Sequence, residues 1–118
     1  MYSARLLDHF QNPRNVGELP PPAVTVEVSN PVCGDILRLS VQFRDGRVAE
    51  ARYKTRGCTA SIAAGSALTV LLSGMTPLQL AALLPADIEN AVGGLSSESK
   101  HAALLAIDAV RALLPLAR

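Results

Sequence analysis

The stretch ILRLSVQFRDGRVAEARYK, residues 36–54, constrains the fold most. Its first half alternates Leu37, Leu39, Val41 and Phe43 with Arg38, Ser40 and Gln42. A side-chain period of two belongs to a strand with one face inward and one toward water. Asp45–Gly46 then supplies a residue pair favoured in tight hairpin turns, where positive φ is required. The second half returns as VAEARYK, with Ala49, Ala51 and Tyr53 set against Glu50, Arg52 and Lys54. Ahead of the hairpin, VTVEVS places Val24, Val26 and Val28 opposite Thr25, Glu27 and Ser29. The chain thus predicts three antiparallel strands with one apolar face, and such a sheet needs a cover.

The remaining segments read as that cover. Only four of the 118 residues are aromatic, so Ala, Leu, Val and Ile must build the core, which favours close helix packing on a small sheet. The run CTASIAAGSALTVLLSG predicts a helix starting just past Cys58, with Ile62, Leu68 and Leu72 along it and Gly74 as its stop. Its small residues Ala60, Ala63, Ala64, Gly65 and Ala67 permit close approach. Thr76 and Pro77 look like the cap and first-turn proline of a helix over MTPLQLAALL. Pro85 opens a short helix or turn in PADIENAV. A long helix is predicted from Ser97 to about Leu114, with Ala103, Ile107, Val110 and Leu114 at helical spacing. At the other end, Ser3 caps a short helix with Leu6, Leu7 and Phe10 as its apolar side. The expected fold class is α+β: a three-stranded antiparallel sheet covered on one face by helices. Residues 1–118 read as one domain, without repeat or long linker.

Charge excludes some functions. Eleven basic and ten acidic residues leave a net charge of +1, and no basic run is interleaved with aromatics, so no nucleic-acid partner is expected. Arg38, Arg52, Lys54 and Arg56 fit either solvated charges or a local basic face for a protein partner. No leader or membrane-spanning run is visible, and a cytoplasmic location is expected. In a reducing compartment two cysteines read as thiols or metal ligands rather than a disulfide.

Those two cysteines carry the chemistry. Cys33 lies in PVCGDI, in the link between the first two strands, with Gly34 and Asp35 beside it. Cys58 follows the third strand in TRGCTAS, at the entry to a helix, where free N–H groups and the helix dipole favour a thiolate. One precedes the hairpin and the other follows it. An antiparallel hairpin returns to its starting end, so both thiols should lie at the same end of the sheet. His101, near the start of the last helix, adds an imidazole; His9, in the first helix, is a weaker candidate. Cys33, Asp35, Cys58 and His101 together make a tetrahedral zinc set or a partial iron–sulfur ligand set. Taken singly, each also fits an ordinary role: a turn cysteine with a solvated aspartate, a small buried joint residue, a surface histidine. No GxSxG or phosphate-cradling motif occurs. A thiol hydrolase using Cys58 and His101 would need a pocket that no motif marks.

The stretches HFQNPRNVG, NPVCGDILRLSV, ARYKTRGCTASIAAGSALTVLLSG and KHAALLAIDAV resemble the iron–sulfur cluster assembly scaffold proteins, the IscU and NifU N-terminal domain family. The resemblance runs in order along nearly the whole chain. It implies a non-enzymatic scaffold that accepts sulfur from a cysteine desulfurase, gathers iron, builds a [2Fe–2S] cluster and passes it to recipient proteins. Zinc often occupies the same ligands. By this resemblance Cys33 matches the first cysteine, Asp35 the neighbouring aspartate, Cys58 the second cysteine, and His101 the histidine before the third cysteine. The third cysteine is replaced by Ala102. Where the family commonly has LPPVK, a docking run for a specialised Hsp70 chaperone, this chain has LSSES at Leu95 to Ser99. Both departures imply a divergent member, with weakened chaperone recognition and impaired sulfur acceptance. A non-catalytic zinc-binding accessory or regulatory protein of the same fold is the alternative.

Overall fold

The computed structural model describes residues 2–117. Asp45 and Gly46 take φ of 55° and 75°, the pairing of a type I′ turn, which matches the twist of the strands it joins. It links β2 (Asp35–Arg44) to β3 (Arg47–Arg56), and β1 (Val24–Asn30) pairs with the other side of β2. The sheet is antiparallel throughout, in the order β1-β2-β3. Val26 faces Leu39 and Leu39 faces Tyr53, which aligns the apolar positions on one face. Glu27, Arg38 and Lys54 line up on the other.

Near the hairpin turn the alternation breaks on β3. Ala49 is exposed and Val48 is buried, the reverse of the expected pattern. The register shifts between Gln42 and Phe43: Gln42 pairs with Glu50, but Phe43 pairs with Val48. Ala49 is the extra residue of a bulge, which turns every side chain on the hairpin side of it by one position.

Helices α2 (Thr59–Leu72) and α5 (Lys100–Leu113) cover the apolar face, α2 over β3 and α5 over β1 and β2. Close approach rests on Gly65, where a Cβ would stand 2.5 Å from the buried ring of Tyr53. Helix α1 (Ala4–Gln11) lies on α2 and is capped by Ser3, which accepts from the Leu6 N–H at 3.0 Å. Only Leu6 of its expected apolar side is buried; Leu7 and Phe10 stay exposed. An eight-residue helix on the outside of α2 buries only a narrow face.

The loop after α1 closes the free edge of β3. Val16 bridges Tyr53, whose N–H donates to the Asn15 carbonyl and whose carbonyl accepts from Gly17, both at 2.9 Å. This removes an open strand edge. Helix α3 (Pro77–Ala81) starts at the expected Thr76 cap but ends earlier than expected, and α4 (Pro85–Ala91) opens at Pro85. The last helix is preceded by a 3-10 turn over Ser97–Ser99, so the α-helix proper begins at Lys100.

Candidate metal centre

The sheet end opposite the Asp45–Gly46 turn gathers the polar residues. The β1–β2 link is short. The side-chain oxygen of Asn30 accepts from the Val32 N–H at 3.0 Å and the Cys33 N–H at 3.4 Å. Gly34 takes φ of 74° and donates to the Asn30 carbonyl at 2.7 Å. A left-handed glycine thus turns the chain directly into β2. The outcome is asymmetric. Asp35 is buried at 4% exposure, whereas Cys33 is exposed on the turn, beside a Val32 that is 91% exposed.

Cys58 is the N-cap residue of α2, with φ −75° and ψ 169°. Its side chain makes no capping bond. The sulfur instead faces Asp35 Oδ2 at 3.6 Å and His101 Nε2 at 3.5 Å. His101 is the second residue of α5, so the N-termini of two helices converge here. Their free N–H groups favour negative charge on the donors. Arg56, two residues before Cys58, makes no hydrogen bond to the thiol among the described residues.

The imidazole is oriented by its other nitrogen. His101 Nδ1 lies 3.0 Å from the Glu98 carbonyl. A carbonyl can only accept, so Nδ1 donates to it and Nε2 is the ring nitrogen turned toward the site. Histidines that bind metals commonly donate their second N–H in this way. His101 Nε2 lies 3.3 Å from Asp35 Oδ2, which closes a triangle with Cys58.

The triangle fits an ion. Bond lengths of about 2.3 Å to sulfur and 2.0–2.1 Å to nitrogen or oxygen, at tetrahedral angles, hold S–N and S–O donors about 3.5 Å apart and N–O donors about 3.3 Å apart. The three edges seen here are 3.5, 3.6 and 3.3 Å. Three of the four sequence-chosen residues therefore meet as one donor set, with their ligand atoms all within 4.8 Å. Cys33 is outside that set, on its exposed turn. His9 is elsewhere, 2.7 Å from the Ser66 hydroxyl. Ala102 is 1% exposed and packs in the core.

Three features escaped sequence reading. Ser61 is buried, with Oγ 2.5 Å from Asp35 Oδ2 and 3.4 Å from Cys58 Sγ. Its place three residues after Cys58, one helical turn on, was the available signal. Gly57 leaves room for the Asp35 carboxylate. The Glu98 carbonyl had no signal, since a backbone group is invisible in a residue pattern.

The chain matches the model of the NifU-like N terminal domain over residues 1–115. It is 38% identical over 111 residues to the iron-sulfur cluster assembly scaffold protein IscU 1 of Archaeoglobus fulgidus, covering 94% of this chain and 72% of that protein. It is 35% identical over 115 residues to the iron-sulfur cluster assembly scaffold protein IscU of Azotobacter vinelandii, covering 94% and 89%. Among solved structures, a putative iron-sulfur cluster assembly scaffold protein for the SUF system from Fervidobacterium islandicum superposes with a TM-score of 0.76 over 96% of both chains, at 20% identity. That last likeness concerns the fold.

Proposed function

This chain belongs to the NifU-like N-terminal domain family, as a divergent member without the third cysteine, and from that premise we propose that it is a scaffold-like protein of iron–sulfur cluster assembly. Its cargo is iron or a [2Fe–2S] cluster, carried on Asp35, Cys58, His101 and Cys33. The observation that carries the reading is the triangle of Asp35 Oδ2, Cys58 Sγ and His101 Nε2, whose edges of 3.6, 3.5 and 3.3 Å suit tetrahedral coordination.

The roles divide by rigidity. Asp35 begins a strand, and Cys58 and His101 sit at helix starts, so three donors are held before cargo arrives. Cys33 supplies the fourth from its turn, closing over the cargo and opening for release. The Cys58 thiol gives up its proton to solvent on binding, because Asp35 Oδ2 is itself a donor to the cargo. The chain acts as a carrier and not as an enzyme. Its sulfur source is a cysteine desulfurase and its acceptors are cluster-recipient proteins. The LSSES run weakens engagement by a specialised Hsp70 chaperone. No helix of the described residues is long and apolar enough to cross a membrane, and we propose a cytoplasmic location.

A second reading has its own observation. The triangle holds one sulfur, one nitrogen and one oxygen, a mixed set that suits zinc as well as iron. A zinc-binding accessory or regulatory protein follows from it. Anaerobic reconstitution with ferrous iron, cysteine, a desulfurase and a thiol reductant separates the two. The scaffold reading expects a visible cluster chromophore that Cys58→Ser abolishes. Stoichiometric zinc with no sulfur uptake would move the assignment to the accessory role.

A further inference from the structure

The Ser61 hydroxyl is a buried polar group at the centre with no part in the donor set. It sits in the first turn of α2 at 3% exposure. Serines in helices often bond back to the carbonyl four residues earlier. Ser61 does not: among the described residues its side-chain partners are Asp35 Oδ2 at 2.5 Å and Cys58 Sγ at 3.4 Å. The hydroxyl donates to Asp35 Oδ2, and its oxygen also lies within reach of the thiol.

The opposite side of the carboxylate is also confined. A Cβ on Gly57 would stand 2.7 Å from both Cγ and Oδ1 of Asp35, so backbone is packed against that oxygen. Asp35 is thus held from two directions, by backbone at Oδ1 and by a hydroxyl at Oδ2. Oδ2 is the oxygen facing His101 Nε2 at 3.3 Å. The same oxygen lies 3.6 Å from Cys58 Sγ, so the hydroxyl holds the one carboxylate oxygen that faces both other donors.

We propose that Ser61 is a positioning residue of this centre: its hydroxyl fixes Asp35 so that Oδ2 completes the triangle with Cys58 Sγ and His101 Nε2, and so sets affinity for a divalent metal. The inference rests on Asp35, Cys58 and His101 being the donors. Hydrogen-bonded partners of metal-ligating carboxylates commonly govern affinity by about 10–100-fold.

The test is anaerobic titration of the full-length chain with Co(II), read by its ligand-field and thiolate-to-metal absorption, alongside thermal melting of the metal-free protein. Ser61→Ala should lower Co(II) affinity by about 10–100-fold and shift the ligand-field bands. Ser61→Thr, which keeps the hydroxyl, should stay close to wild type. Ser66→Ala alters another buried serine of α2, away from the centre; it should leave affinity unchanged even where melting falls. Wild-type affinity and bands in Ser61→Ala would overturn the assignment. So would a Ser61→Thr variant that melts like wild type yet loses as much affinity as Ser61→Ala. Failure of the wild-type chain to develop a thiolate–Co(II) band would instead sink the donor set itself, and the role of Ser61 with it.

Discussion

The carboxylate of Asp35 fills the space where a side chain on Gly57 would begin: a Cβ there would lie 2.7 Å from Cγ and from Oδ1. Asp35 is 4% exposed, with the Gly57 backbone on one side and the Ser61 hydroxyl on another. Gly57→Ala should therefore displace the carboxylate. Overpacking of this kind costs about 1–3 kcal/mol, readable by urea denaturation of the metal-free protein. Co(II) affinity should fall further than that loss explains, because the displaced atom is a donor. Wild-type Co(II) affinity in a destabilised Gly57→Ala variant would show that the contact does not position Asp35.

A parallel substitution away from the site separates packing from chemistry. At Gly65 a Cβ would meet the Tyr53 ring at 2.5 and 2.6 Å. Gly65→Ala gains about 1 kcal/mol of helix propensity but wedges α2 off the sheet, at a cost of about 1–3 kcal/mol. The expected result is lower thermal stability with little change in metal affinity of the folded fraction. Unchanged or raised stability would mean that α2 can shift to accommodate a methyl group.

Histidine 9 gives the fold a pH dependence. Its Nδ1 lies 2.7 Å from the Ser66 hydroxyl, which also accepts from the Arg14 N–H at 2.9 Å. Burial, and then the neighbouring Arg14 charge, push its pKa below the ordinary histidine value, and the Asp8 carboxylate opposes them. The folded state therefore prefers neutral His9 while the unfolded chain protonates first. The associated stability is present above about pH 6.5 and is lost as pH falls below it. Melting temperature against pH should fall more steeply on the acid side for wild type than for His9→Asn. Parallel curves would remove His9 as the cause.

The sheet was legible because period-two alternation and an Asp–Gly turn are local signals. So was the meeting of Asp35 with Cys58, since hairpin geometry returns the chain to its starting end. The bulge at Ala49 was not, because a register shift depends on which residues of β2 and β3 face each other. Leu7 and Phe10 were misjudged because the sequence shows an apolar face without showing how much of it a neighbour covers. The place of Cys33 was legible only in part: both cysteines share one end of the sheet, but a turn pinned through Asn30 leaves this thiol exposed, outside the triangle that the other three donors form. Ser61 escaped because a serine in a helix start usually serves the backbone.

The two thiols should consequently differ in what their loss does. Cys58 lies within the triangle, 3.5 Å from His101 Nε2 and 3.6 Å from Asp35 Oδ2, and its backbone is fixed where β3 meets α2. Little conformational freedom remains for it to lose on binding. Cys33 must be drawn in from an exposed turn, and fixing each residue of such a segment costs about 1–2 kcal/mol. It adds a ligand at an ordering cost that the other three donors have already met. Cys58→Ser should therefore abolish the thiolate–Co(II) absorption of the triangle and leave only weak binding. Cys33→Ser should retain part of that absorption, with lower affinity and faster loss of metal to EDTA. The measurements are equilibrium titration and stopped-flow chelation on each variant. If Cys33→Ser proves blind to Co(II) while Cys58→Ser still binds it tightly, the centre is organised around the turn, and the preformed triangle is not its foundation.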